Sequence, residues 1–144
     1  ADGQRLVSVS RDRTVRIWQV DSSKVLSAFN YRDPITSAEF KPDGQQVVLA
    51  SADGTARVVD AQTGTSRVIL TGHRGAVLNA RFSPDGQMIV TASADGTARL
   101  WDAQTGIEKA ILRPETTSNA VEPIQQAFFS PDGRYIATLS QSGK

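Results

Sequence analysis

An all-β fold of repeated blades, each built from four short antiparallel strands, is what this sequence predicts, and three observations carry it. The chain nearly repeats itself: SADGTAR stands at Ser51 to Arg57 and again at Ser93 to Arg99, and DAQTG follows both, at Asp60 to Gly64 and Asp102 to Gly106. The offset is 42 residues, and it also relates Phe40-Lys-Pro-Asp-Gly44 to Phe82-Ser-Pro-Asp-Gly86, with a third copy beginning at Phe129 after a step of 47. Such a period marks one supersecondary unit that is repeated and stacked, because a single unit cannot bury its apolar faces alone. Turn-forming Pro-Asp-Gly, Asp-Gly and Gln-Thr-Gly clusters punctuate the two full repeats, and the segments between them are short, rich in β-formers and free of any helical period.

The third repeat is the clearest template. Ala76 to Phe82 alternates, with Val77, Ala80 and Phe82 facing inward. Ser83-Pro-Asp-Gly86 then turns the chain: proline presets φ, aspartate bonds its own backbone and glycine takes positive φ. Met88 to Ala92 is an apolar run that fits a strand covered on both faces. Ala94-Asp95-Gly96 carries the Asp-Gly hairpin signal. Thr97 to Trp101 is the third strand, Asp102 to Gly106 the next turn, and Glu108 to Leu112 the fourth strand. Four short strands in about 42 residues is the pattern of a β-propeller blade.

Laid along the chain, this template starts in mid-blade. Ala1-Asp-Gly-Gln4 aligns with Pro84-Asp-Gly-Gln87, so Leu6 to Ser10, Thr14 to Val20 and Lys24 to Phe29 are strands two, three and four of a partial blade over residues 1–29. Full blades occupy 30–70 and 71–112, with strands running from about Ile35 to Leu70 and from about Ala76 to Leu112. A loop and a last partial blade fill 113–144, with Ile124 to Phe129 and Tyr135 to Ser140 as strands one and two. The expected total is thirteen strands, in an incomplete ring.

Composition narrows the function classes. Hydrophobic residues make up 39% and charged residues 22%, the balance of a globular domain. A net charge of +1, with no basic block, argues against a nucleic-acid surface. The chain has no cysteine and one histidine, so neither thiolate nor His-rich metal sites can form. No apolar run approaches the ~20 residues of a membrane span. A soluble, cytoplasmic domain without cofactor or metal is expected.

One family carries these motifs. Gly72-His73, Phe82-Ser-Pro-Asp-Gly86 and Ser93-Ala-Asp95-Gly-Thr97-Ala-Arg99-Leu-Trp101-Asp102 together resemble a complete WD-repeat signature, and Ser10-Arg-Asp12-Arg-Thr14-Val-Arg16-Ile-Trp18 resembles it with Gln19 for the last aspartate. The resemblance covers essentially the whole chain. It implies a propeller of four-stranded blades and, in the third repeat, a hydrogen-bonded tetrad of His73, Ser93, Asp95 and Trp101. Burial of an imidazole, a hydroxyl and an indole N–H demands such pairing. Elsewhere the tetrad is partial: Ser10, Asp12 and Trp18 in the first blade, and Ser51 and Asp53 in the second, where Tyr31 and Val59 replace histidine and tryptophan. In the last blade Ala120 stands near the histidine position and Ser142 at the aspartate position.

Ser93, His73 and Asp95 are also the residue types of a hydrolase triad. The structural reading is favoured, because the serine lies in mid-strand with no nucleophile elbow and the indole accounts for its hydroxyl. No Asp-x-Asp-x-Asp-Gly calcium loop and no phosphate loop occur. The expected function is a non-catalytic protein-interaction scaffold, a segment of a larger regulatory or multidomain protein. The alternatives are a gating or docking module of a peptidase, kinase or NTPase whose catalytic part lies elsewhere, and a half-propeller that closes its ring as a homodimer.

Family members commonly engage partners through the loops joining strand two to three and strand four to the next blade. The resemblance therefore implies partner-binding positions at Arg11, Arg13, Arg32, Asp33, Arg74, Ala94, Glu122 and Gln141, for a protein or peptide. Arg11, Arg32 and Arg74, on neighbouring blades, suit an acidic peptide. Arg16, Arg57 and Arg99 recur inside strand three and read as structural or solvated. The connection Arg113 to Pro123, with its Pro, Thr, Ser and Asn content, reads as a mobile loop with a contact role. An open crescent leaves two blade faces uncovered, so the remaining blades are expected from a longer chain, a larger assembly or a second copy.

Overall fold

The computed structural model describes residues 3–115 and 120–140 of the 144-residue chain. Thirteen strands are present among them: β1 (Arg5–Val9), β2 (Thr14–Gln19), β3 (Lys24–Asn30), β4 (Ile35–Phe40), β5 (Gln46–Ser51), β6 (Ala56–Asp60), β7 (Ser66–Leu70), β8 (Val77–Phe82), β9 (Met88–Ser93), β10 (Ala98–Asp102), β11 (Glu108–Leu112), β12 (Ile124–Phe129) and β13 (Ile136–Ser140). They form four antiparallel sheets in strict chain order, with three, four, four and two strands. These are the expected propeller blades. No strand pairing joins β13 to β1, so the described strands leave the ring open.

Strand ends differ from the expected ones by a residue or so, each for a visible reason. Ser93 closes β9, not Ala92, because it still pairs with Val77. Tyr135 stays in the turn before β13, where its N–H is bonded to Ser130 Oγ and its carbonyl accepts the Ser130 N–H. Every fourth strand enters with a bulge, at Ile17/Trp18, Val58/Val59 and Leu100/Trp101, and this adds local twist at the outer edge.

The period of two along the second strand explains the architecture. In β5, Val47 and Leu49 pack with Val15 and Ile17 of the first blade, whereas Val48 and Ala50 pack with Val77, Ala80 and Phe82 of the third. In β9, Ile89 joins the core toward the second blade and Val90 and Ala92 join Ile124 and Ala127 of the last. Each second strand thus feeds two cores, which is why these runs read as continuously apolar. Burying one such Val, Leu or Ile is worth roughly 1.5–3 kcal/mol. Leu6 and Leu139, on the uncovered faces of the end blades, are 55% and 43% exposed.

Side chains of the innermost strands tie the second blade to the third and the third to the last. Ser37 Oγ accepts the Ala80 N–H at 3.1 Å, Glu39 Oε2 the Phe82 N–H at 2.9 Å, and Asn79 Oδ1 the Ala127 N–H at 3.3 Å. Burial pushes the Glu39 carboxyl above its ordinary range, against the Phe82 N–H and nearby Arg81. The ends of β4, β8 and β12, with the start of β1, line an open concavity of about 540 Å³. No described helix is long and apolar enough to cross a membrane.

Candidate functional site

Two polar constellations stand out, one buried in the third blade and one spread over the rim made by the β1–β2, β5–β6 and β9–β10 turns and the inter-blade loops. The buried one begins with register. In β10, Trp101 lies opposite Ile89 of β9, and Thr91 opposite Arg99. The indole reaches diagonally to the same-face neighbour, Thr91, and its Nε1–H donates to Thr91 Oγ1 at 2.8 Å. Thr91 Oγ1 is 2.7 Å from His73 Nε2, and His73 Nδ1 is 2.9 Å from Asp95 Oδ2. With the indole donating, the threonine hydroxyl donates onward to Nε2, which fixes the neutral tautomer with its proton on Nδ1, bonded to aspartate.

Ser93 is therefore not the hydroxyl of the tetrad. It sits two residues beyond Thr91 on the same face, about 6.6 Å further along the strand and out of the indole's reach. Its Oγ instead accepts the Asp95 N–H at 3.1 Å and donates to the Gly75 carbonyl at 3.2 Å. The same correction holds in the first blade, where Trp18 Nε1 donates to Ser8 Oγ at 2.7 Å and not to Ser10. Ser10, Ser51 and Ser93 have a shared local role: each accepts the N–H of the aspartate two residues on, and Asp12, Asp53 and Asp95 accept from Thr14, Thr55 and Thr97. Spacing alone does not separate the two hydroxyls, since Ser8 and Thr91 each stand ten residues before a tryptophan and Ser10 and Ser93 each stand eight before it.

Electrostatics follow from this wiring. Burial opposes the charge on Asp95, but donors from Thr97, the Arg74 N–H and His73 outweigh it and hold the carboxyl far below its ordinary value. Burial lowers the His73 pKa below 6.5 despite the adjacent carboxylate. Gly72 is required beside it: at φ +154 it lies under the Arg99 and Trp101 side chains, and a Cβ there would fall 2.6 Å from Arg99 Nη1. Thr91, His73 and Asp95 have the connectivity of a catalytic triad, yet Thr91 is 0% exposed and its oxygen already accepts the indole proton. No acyl group can reach it. Among the described residues no three His, Cys, Asp or Glu side chains are grouped to hold a metal.

The rim is continuous. Tyr31 N–H donates to Arg13 O, Ala52 N–H to Pro34 O and Ala94 N–H to Ala76 O, while Gly54 lies against the Gly75 carbonyl and Gly96 against that of Glu122. Arg11, Arg13, Arg32 and Arg74 project from it, all exposed. Asp33, Ala94 and Glu122 are only half-exposed, less open than the sequence suggested. Gln141 and Ser142 lie outside the described residues, as does part of the Arg113 to Pro123 connection. Inside strand three, Arg57 pairs with Asp53 at 3.0 Å and Arg99 with Glu108 at 2.6 Å, which are structural roles, and Arg16 is exposed.

Comparison with known proteins agrees with this geometry. The family model described as "WD domain, G-beta repeat" matches residues 1–19, 23–60 and 64–102. The chain is 36% identical over 58 residues to U3 small nucleolar RNA-associated protein 15 homolog of Gallus gallus, covering 40% of this chain and 11% of that protein. It is 35% identical over 71 residues to WD40 repeat protein poxJ of Penicillium oxalicum, covering 47% of the chain and 21% of the relative. A third relative, Periodic tryptophan protein 2 homolog of Schizosaccharomyces pombe, is 33% identical over 75 residues, 51% of the chain and 9% of the relative. The chain thus spans between 9% and 21% of the length of these three proteins.

Proposed function

Because the chain belongs to the WD-repeat family, we propose that it is a non-catalytic scaffold whose loop rim receives a protein or peptide partner. One observation carries this reading: the triad-like groups of the third blade are enclosed and mutually satisfied, while the rim presents four exposed arginines whose side chains make no ion pair among the described residues. Arginine is enriched among the side chains that anchor interfaces, where its contacts offset the cost of ordering a rotamer-rich side chain.

The proposal extends to setting. The chain would belong to a larger cytoplasmic regulatory protein, its remaining blades supplied by the same polypeptide or by another. The relatives, several times longer than the stretch they share with it, support the first source. RNA association, stated in the name of the chicken relative, is not carried over, since the net charge here is +1.

The test is proximity labelling with the chain as bait, followed by reconstitution with each purified partner. Binding is expected to fall when the rim position Ala94→Trp is introduced and to survive Gln62→Trp in the β6–β7 turn at the opposite edge. A partner that is insensitive to the rim change, or hydrolysis that depends on His73, would overturn the proposal.

A further inference from the structure

Six Asp-Gly pairs stand in the chain, and five of them, at Asp43, Asp53, Asp85, Asp95 and Asp132, lie among the described residues. In such a pair the glycine nitrogen can attack the aspartate carboxyl carbon, because glycine has no Cβ to shield the approach. The five turns share one backbone. Each glycine takes a φ between +70 and +85, and its N–H donates to the carbonyl three residues back at 2.7 to 3.3 Å. Ring closure therefore waits until the turn opens.

The turns differ in what keeps them shut. Asp53 accepts bonds from Thr55 and Arg57, and Asp95 from Thr97, His73 and the Arg74 N–H. In the two Ser-Pro-Asp-Gly turns the serine is a double brace. Ser83 Oγ donates to Asp85 at 2.6 Å and accepts the Met88 N–H at 2.9 Å, and Ser130 Oγ does the same for Asp132 and the Tyr135 N–H. Those serines, with the Gln87 and Arg134 N–H groups, also hold the Asp85 and Asp132 carboxyls below their ordinary range. An ionised carboxylate offers no hydroxyl to leave.

The β4–β5 turn lacks the brace, because Lys41 stands at the serine position. Asp43 accepts the Gln45 N–H at 2.9 Å, and the Lys41 ammonium lies 3.4 Å from its other oxygen. The Asp43 side chain is 44% exposed, and an ion pair in that setting is a weak clamp. The Arg5 guanidinium lies against Gly44, so close that a Cβ there would overlap it. A cation beside the attacking nitrogen favours loss of its proton.

We infer that Asp43-Gly44 is a modification site, the first of the five described pairs to isomerise to isoaspartate, and so a substrate for a repair methyltransferase that recognises isoaspartyl carboxylates. The Gly44 nitrogen bonds to Cγ of the protonated Asp43 carboxyl, the Cγ–OH bond breaks, and the hydroxyl leaves as water with the amide proton. Water then adds to the ring carbonyl that was the peptide carbonyl of Asp43 and breaks its bond to nitrogen, so the chain runs on through Cβ and Cγ. Mass returns to its starting value and no electrons move. The turn gains one methylene in its backbone, at the edge away from the loop rim, so the inference is independent of the partner reading.

The experiment is incubation of the full 144-residue chain at 37 °C in mildly acidic buffer. Isoaspartate is counted by methyl transfer from labelled S-adenosylmethionine with an isoaspartyl methyltransferase, and placed by electron-transfer fragmentation of the peptides. Asp43 is expected to convert ahead of Asp53, Asp85, Asp95 and Asp132. Lys41→Ser, which restores the brace, should slow it about fivefold, the weight of roughly one net hydrogen bond in the opened population. Ser83→Ala should speed conversion at Asp85 by a similar factor, and circular dichroism checks each fold.

Conversion at any of the other four as fast as at Asp43, none at Asp43, or a folded Lys41→Ser chain with an unchanged rate there would overturn the inference. Should Lys41→Ser fail to fold, the ranking in the parent chain and the response of Asp85 to Ser83→Ala still decide it.

Discussion

The second and third blades share most of their turn sequences and yet settle the same buried position in opposite ways. In the third, Thr91, Trp101 and His73 form a polar relay that ends on Asp95. In the second, the equivalent residues are Leu49, Val59 and Tyr31, and they pack as an apolar cluster against the first blade. The aspartate adapts in turn. Asp53, without a histidine, bonds Arg57, whereas Asp95 is occupied by His73 and the Arg74 N–H, and Arg99 turns to Glu108. The position equivalent to Glu108 in the second blade is Ser66, which offers no carboxylate. These two blades fill the site with a closed network or with hydrocarbon, and the relay through a histidine belongs to the third, while the first keeps an indole–hydroxyl pair, Trp18 with Ser8.

That contrast can be broken from either side. The largest effect is expected from Trp101→Ala, which opens a cavity and removes the donor to Thr91 Oγ1, at about 3–5 kcal/mol by urea denaturation. Val59→Ala in the apolar blade should lose about half of that. Next come the exchanges of character. Thr91→Val leaves the indole N–H and the imidazole Nε2 unpaired, and Leu49→Thr buries a hydroxyl among hydrocarbon, each at roughly 1–3 kcal/mol. If either exchange is neutral, the two solutions are not exclusive.

A smaller effect is expected from pH. The folded pKa of His73 lies below its ordinary 6.5, so the unfolded chain binds the proton first as pH falls. Stability from this group is complete above about pH 6.5 and declines below it. Asp95, also lowered, adds a further loss below about pH 3.8. His73→Gln should lower stability at pH 7.5 and flatten the decline between pH 6.5 and 5, as the chain has no other histidine. Urea midpoints at the two pH values decide this. Least affected is the first blade, where Ser8→Ala removes one half-buried bond to Trp18, worth about 0.5–1.5 kcal/mol.

Much of this was legible in the sequence. The period of 42, the Pro-Asp-Gly and Asp-Gly turns and the apolar second strands led to the thirteen strands and their sheets, because turn chemistry and two-sided burial act locally. Which hydroxyl meets the indole was harder. Ser93 and Thr91 face the same way, and only the pairing register of β9 with β10 separates them. Exposure of the rim was half legible: arginine side chains extend wherever they are anchored, whereas Asp33, Ala94 and Glu122 depend on how closely neighbouring loops approach, as Gly96 does to the Glu122 carbonyl.

The most direct test is the imidazole itself, read by long-range proton–nitrogen NMR on the full chain, in which His73 gives the one histidine signal. An enclosed relay requires a single neutral tautomer with the proton on Nδ1, an acceptor shift at Nε2 and titration below pH 6.5. A mixture of tautomers titrating at its ordinary value would mean that His73 is open to solvent. The division between a buried structural network and a rim left free for a partner would then be wrong.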